Sequence, residues 1–341
     1  MTARCGIIPI FIPHLGCEHE CVFCNQKRIS GRLRPAAAQD VAREIEAGLG
    51  RCRRPAQCAF YGGSFTAIPA PQQLELLGAA QKYLRSGELS GIRLSTRPDA
   101  IDETVLERLH LHGVSVIELG AQSMDNVVLR KSGRGHSAED TVRAAGMVKR
   151  AGFSLVLQMM TGLPGSDEAS DVESARKIIS LAPDAVRIYP TVIIKDTPLY
   201  KLWRAGKYAE HTVEDAVRVC AVLLPMFERA GIPVIRLGLN PTEELSGGAA
   251  AGGAYHPALG ELVKSRVMLN RVRRILTDTE RGREILSSVP CELRLHTSPS
   301  SVSQLVGQRR CNADALCTEF GFSGVKVIPL LRLPKGEIEL G

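Results

Sequence analysis

Along the first 240 positions, short apolar and often β-branched runs alternate with longer stretches whose apolar residues recur every three or four positions. The runs Ile7–Ile12, Gln57–Phe60, Gly91–Ser95, Val114–Leu119, Ser154–Met159 and Ala185–Tyr189 predict strands. The stretches Gln39–Leu49, Gln72–Leu84, Glu103–Leu111, Ala138–Ala151, Asp171–Leu181 and Val213–Ala230 predict helices. Glycine or proline punctuates most of their ends, and Ser137-Ala138-Glu139-Asp140 offers a hydroxyl N-cap followed by an acidic first turn. Six such alternations predict an α/β fold, a parallel sheet with helices outside it. Strands as apolar as Val114-Ser115-Val116-Ile117 suit a sheet covered on both faces. An open doubly wound sheet and a barrel share this pattern, and periodicity does not separate them.

After a further apolar stretch, Pro233–Leu239, the character changes. Leu245–Gly253 is rich in glycine and alanine and reads as a loop. A long basic helix follows at Leu259–Thr279, then a strand–helix–strand pattern over Cys291–His296, Ser300–Phe320 and Val325–Leu330. These place a boundary near residue 241, dividing a core of 1–240 from a small α+β extension of 241–341.

The chain has 341 residues, is 44% hydrophobic and carries a net charge of +7, which argues against a wholly disordered chain and permits an anionic partner without demanding one. No apolar run approaches a membrane span, and the run near the N-terminus is too brief for a signal peptide. The expectation is therefore a cytoplasmic protein with no membrane partner, and its ten cysteines are expected to be reduced or metal-bound rather than paired in disulfides.

Three of those cysteines have a spacing with chemical meaning. Just beyond the first strand the chain reads Cys17-Glu18-His19-Glu20-Cys21-Val22-Phe23-Cys24. Gaps of three and two residues let one short loop wrap three thiolates around one metal centre, a donor set that suits zinc or an iron–sulfur cluster. Zinc would take a fourth protein ligand, with His14 or His19 at hand; a [4Fe–4S] cluster would leave one iron open to a non-protein ligand. The remaining cysteines, Cys5, Cys52, Cys58, Cys220, Cys291, Cys311 and Cys317, are scattered and read as small core or surface residues.

The Cys-x3-Cys-x2-Cys pattern with an aromatic residue before the last cysteine resembles the signature of the radical SAM enzymes. Other phrases agree in register: Pro13-His14-x-Gly16-Cys17, Tyr61-Gly62-Gly63-Ser64-Phe65-Thr66, Ser95-Thr96-Arg97-Pro98-Asp99, Glu118-x-Gly120-x-Gln122-Ser123-Met124 and Arg134-Gly135-His136. Over roughly residues 7–240 the chain is similar to the radical SAM domain of the elongator-complex catalytic subunit and its short bacterial relatives. The oxygen-independent coproporphyrinogen oxidases share the general pattern but usually carry Gly-Gly-Gly-Thr-Pro at the position of Gly62–Thr66.

The resemblance implies a partial (β/α)6 TIM-like barrel. It implies a [4Fe–4S] cluster on Cys17, Cys21 and Cys24, and S-adenosylmethionine on the fourth iron, cleaved to a 5′-deoxyadenosyl radical with electrons from an external donor of flavodoxin or ferredoxin type. By the same resemblance Gly62, Gly63 and Ser64 border the amino-acid part of S-adenosylmethionine. Glu118, Gln122 and Arg134 are candidates for further contacts, Arg134 with its carboxylate, and Ser95 and Arg97 are weaker ones. Polar residues sit at the ends of successive strands, where parallel barrels place active sites. Among them Arg187 and Tyr189 are candidates to face substrate, and the glycine-rich loop would present His256.

The likeness points to a tRNA or RNA substrate, yet the roughly 100 residues beyond 241 leave little room for the elongator subunit's acetyltransferase domain. Gly307-Gln308-Arg309-Arg310 resembles the phosphate-clamping turn of KH-type RNA modules with its second glycine replaced. Arg266, Arg271, Arg273, Arg274, Arg281 and Arg283 would track a nucleic-acid backbone or form a solvated face. A coproporphyrinogen-oxidase-like enzyme on a small molecule is the alternative within the family. A zinc-stabilised RNA-binding protein is the alternative outside it.

Overall fold

The computed structural model describes residues 6–18, 20–31, 33–52 and 54–341, so Cys5 and His19 lie outside it. The chain forms two compact units, one of residues 1–212 with 226–257 and one of 213–225 with 258–341. The helix Val213–Arg229 is shared between them and divided at Pro225, a residue that cannot donate the backbone hydrogen bond of a regular helix.

The first unit is built on seven parallel strands. They are β1 (Gly6–Phe11), β2 (Ala56–Tyr61), β3 (Gly91–Thr96), β4 (Val114–Gln122), β5 (Ser154–Thr161), β6 (Ala185–Pro190) and β8 (Val234–Leu237). Each pairs with the next in chain order. They curl into a half-barrel with helices on the outside, as expected, and the stretch Pro233–Leu239 supplies the seventh strand. One face of the inner strands β3 to β6 is largely apolar: Ile92, Leu94, Ile117, Leu119, Leu155, Leu157, Val186 and Ile188 are completely buried. The helices cover this face, each apolar side chain contributing about 1.5–3 kcal/mol on burial.

Capping fixes where these helices begin. The Ser137 hydroxyl accepts from the Asp140 N–H, and the Asp140 carboxylate accepts in turn from the Ser137 N–H at 2.9 Å. Asp167 and Ser170 form the same reciprocal pair, and Asp102 caps its helix by accepting the Val105 N–H.

Leu245–Gly253 is not a loop. It forms a helical turn, Leu245–Ala249, broken at Gly248, whose φ is +101°, and a short strand, β9 (Ala250–Gly253), antiparallel to β7 (Val192–Ile194). Glycine and alanine carry little strand signal of their own, and the pairing comes from the apolar partner strand. A side chain at Gly253 would stand 2.7 Å from the Thr191 carbonyl, so this ribbon needs a glycine there.

The second unit packs the helix Leu259–Asp278 on a three-stranded sheet ordered β11 (Gly324–Pro329), β10 (Glu292–Thr297), β12 (Ile338–Leu340). Met268, Val272, Leu276, Leu293, Leu295, Leu305, Leu316 and Phe322 share its core. Gly307–Arg310 makes the turn between the helices Val302–Val306 and Cys311–Phe320, with Arg309 and Arg310 both at positive φ. Of the basic run, Arg266 pairs with Glu214, Arg273 with Glu319 and Arg281 with Glu284, while Arg271 and Arg283 donate to backbone carbonyls. Most of this run is neutralised or tied locally.

Candidate active site at the strand ends

The cysteine loop leaves the C-terminal end of β1 and is sewn to the loop after β2. Ile12 N–H donates to the Tyr61 carbonyl at 2.8 Å, His14 N–H to the Gly62 carbonyl at 3.0 Å, and Ser64 N–H to the Leu15 carbonyl at 2.8 Å. The approach is close enough to require glycine on both sides. A Cβ at Gly63 would stand 2.5 Å from the Leu15 carbonyl oxygen, and one at Gly16, whose φ is +73°, would stand 2.2 Å from that of Ser64. Packing against the cysteine loop thus accounts for a glycine at position 63.

All the described cysteines are free thiols. The Cys21 Sγ accepts from Arg134 Nη1 at 3.2 Å and the Cys24 Sγ from Gln26 Nε2 at 3.3 Å. Burial, with the neighbouring Cys21 adding to it, pushes the Cys24 thiol up to about 12, and burial also raises Cys17. A metal centre must therefore displace protons from these thiols. Three thiols on one loop, two of them already accepting N–H groups, fit the donor set of an iron–sulfur cluster, whose sulfurs are tuned by such hydrogen bonds.

Among the described residues no three His, Cys, Asp or Glu side chains stand close enough to hold a single ion. His14 is engaged otherwise: its Nε2 accepts the Gln26 N–H at 3.1 Å.

The remaining candidates fall into three groups. Around the loop, Ser64 is buried and its hydroxyl meets Thr96 Oγ1 at 3.1 Å and the Arg97 N–H at 3.2 Å. Arg97 pairs with Asp99 and reaches the Gly16 carbonyl, bracing the cysteine loop from β3. The Ser95 hydroxyl donates to the Phe60 carbonyl at 3.4 Å.

At the end of β4, Gln122 holds a positive φ of 63° and its Oε1 accepts from Gln158 Nε2. Arg134 Nη2 donates to the Gly120 carbonyl at 2.8 Å, and its Nε is buried without a partner. His136 is buried against the Ala121 carbonyl and is depressed to about 4 by burial and by Arg134, so it is neutral.

Deeper, on the concave face, Glu118 is 2% exposed. Its carboxylate meets Arg93 at 2.7 Å, Arg187 at 2.7 Å and the Tyr61 hydroxyl at 2.7 Å. Arg187 also reaches the Tyr189 hydroxyl at 3.4 Å. Tyr189 packs with Phe23 of the cysteine loop against Val128, Met160 and Leu163. His256 is half-buried three residues beyond β9, outside the strands that carry these groups.

Sequence reasoning missed Arg93 and assigned no site role to Gln26, Thr96 or Gln158. Gln26 lies two residues beyond the cysteine motif, and only its contact with Cys24 reveals a role. A signal for Arg93 does exist, since β3, β6 and β8 each carry one arginine between two apolar residues: Ile-Arg-Leu, Val-Arg-Ile and Ile-Arg-Leu.

Comparison with known proteins agrees with this geometry. Residues 11–178 match the family described as the radical SAM superfamily, and 183–268 match the radical SAM C-terminal domain. A tRNA uridine(34) acetyltransferase of Methanocaldococcus jannaschii is 34% identical over 42% of this chain and 27% of its own length. Human elongator complex protein 3 is 28% identical over 52% of this chain and 32% of its own. The matched part is thus about a quarter to a third of these relatives' length. The archaeal Elp3 of Methanocaldococcus infernus superposes with a TM-score of 0.62 at 23% identity, over 80% of this chain and 64% of that one, a likeness of fold.

Proposed function

The chain belongs to the radical SAM superfamily and is an enzyme, and from that premise we propose that it binds a [4Fe–4S] cluster on Cys17, Cys21 and Cys24 and S-adenosylmethionine beside it, and acts on tRNA. The observation that carries this reading is the cysteine loop itself: three thiols at the end of β1, locked to the Gly62–Ser64 turn, with N–H donors on two sulfurs. Bound there, the cluster supplies the electron that cleaves S-adenosylmethionine to a 5′-deoxyadenosyl radical.

The chain's own residues hold and shield. Gly62, Gly63 and Ser64 border the amino-acid part of S-adenosylmethionine, and Arg134 takes its carboxylate through the charge it shows no acid partner for. Gln122 and Gln158, already hydrogen-bonded to one another, present amides toward the same mouth. Phe23, Tyr189, Met160 and Leu163 form an apolar wall beside the loop that excludes water from a reactive site. Similarity to tRNA-modifying relatives supports the tRNA reading, and a reducing, cytoplasmic setting with a flavodoxin or ferredoxin donor follows from the cluster.

Anaerobic reconstitution tests the cofactor. The wild type is expected to bind about four iron per chain and to cleave S-adenosylmethionine with dithionite, and Cys24→Ala to lose both. A colourless wild type holding zinc would overturn the reading. Nucleoside mass spectra of total tRNA, with and without the gene, test the substrate: an unchanged modification profile removes tRNA.

A further inference from the structure

The concave face of a parallel barrel is ordinarily filled by branched apolar side chains. Here it is charged, and its charge is unbalanced. The seven strands of the sheet contain three basic residues, Arg93, Arg187 and Arg236, and a single acidic one, Glu118. Arg93 and Arg187 both contact Glu118. Arg236 stands in register with Arg187 on the neighbouring strand, on the same face, after a register shift. Its Nε donates to the Gly238 carbonyl at 3.0 Å, and it shows no acid partner. Glu118 is thus shared by two arginines, and the third adds a full charge beside them.

An excess of two positive charges on a largely buried face is costly unless something compensates it. No other acid on these strands does so. The neutral groups around it are hydrogen-bonding ones. The Tyr61 hydroxyl lies 2.9 Å from Arg187 Nη2, Tyr189 flanks it, and the Gln57 Oε1 accepts from Arg93 Nη1 at 3.3 Å. Burial holds Tyr61 neutral, so its hydroxyl adds no negative charge. Glu118 fixes the guanidinium groups of Arg93 and Arg187 in place, which preorganises them for a planar or tetrahedral oxyanion.

We propose that this concave face is a phosphate-binding site, in which Arg187 and Arg236 take a phosphoryl group of the substrate. The excess of two charges matches a phosphate monoester dianion. The same chemistry would reach a phosphodiester of RNA whose nucleotide enters the mouth. The inference deepens the function proposed above by giving that site a substrate class, and it rests on that reading only for the purpose of the binding. None of the three arginines touches a cluster cysteine, so the binding can be measured separately.

The test is calorimetric titration of the anaerobically reconstituted protein with inorganic phosphate, uridine 5′-monophosphate and an anticodon stem-loop RNA. Wild type is expected to bind phosphate, more weakly as salt rises. Arg236→Gln is expected to lose about tenfold or more in affinity, the scale of one charge-assisted contact, while keeping wild-type iron content and melting temperature. Arg229→Gln, an exposed arginine elsewhere, is the control for net charge and should bind as wild type does. Tighter binding of the monophosphate than of phosphate assigns the site to a nucleotide, and still tighter binding of the stem-loop assigns it to RNA.

Two results overturn the proposal: no binding of any of the three probes to wild type, or equal affinities in wild type and Arg236→Gln. A wild type that takes up no iron but binds phosphate through Arg236 would instead refute the cluster reading and leave this one standing.

Discussion

Asp171 shows how a single buried group ties the site to the solvent. Its carboxylate is 3% exposed and accepts the Gly162 N–H at 3.0 Å, just beyond the end of β5. Burial raises it to about 7, against about 3.9 for an aspartate in water. The folded state therefore holds a proton that the unfolded state has already released, and this contribution to stability falls as pH rises from about 4 to about 7 and is flat above. Asp171→Asn keeps an acceptor for Gly162 and removes the titration, so urea midpoints across that range should fall less steeply than in wild type. A variant with the wild-type slope would contradict the assignment. The same dependence on surroundings explains what was legible residue by residue. Cys17, Cys21 and Cys24 declare themselves by spacing along one loop. Thr96 and Gln158 do not, because their partners come from other turns or other strands.

The βα units were legible almost to the residue: Glu103–Leu111 is a helix over that range, and β2 to β6 extend the predicted strands by one to three residues. Local chemistry suffices there, because each unit carries its own periodicity, cap and glycine stop. Replacing the Ser137 hydroxyl tests this directly. Ser137→Ala loses the bond to the Asp140 N–H and should cost about 1 kcal/mol, read as a lower urea midpoint with an unchanged slope. A shift near zero would mean that packing alone sets this helix start. The ribbon of β7 and β9 was illegible for the opposite reason. Ala250–Gly253 has no strand propensity, and its pairing depends on a segment nearly sixty residues earlier in the chain.

For the molecule as a whole, the cluster should be part of the fold's stability. The cysteine loop is tied to the β2 loop through backbone hydrogen bonds, and a centre bound only by the folded state stabilises it by mass action. Anaerobically reconstituted protein should therefore melt higher than the same protein after chelation of its iron, and equal melting temperatures would show that the loop is held without it. Hydrophobic spacing and capping along the chain were enough for the repeating strand–helix order and for the cysteine motif, because those rest on contacts between near neighbours. The charge of the barrel interior was not. Arg93, Glu118, Arg187 and Arg236 are separated by 25 to 69 residues from one to the next, and each alone reads as one polar residue in an apolar strand. Curling the sheet brings them onto one concave face, where low solvent access turns four separate side chains into one charged site.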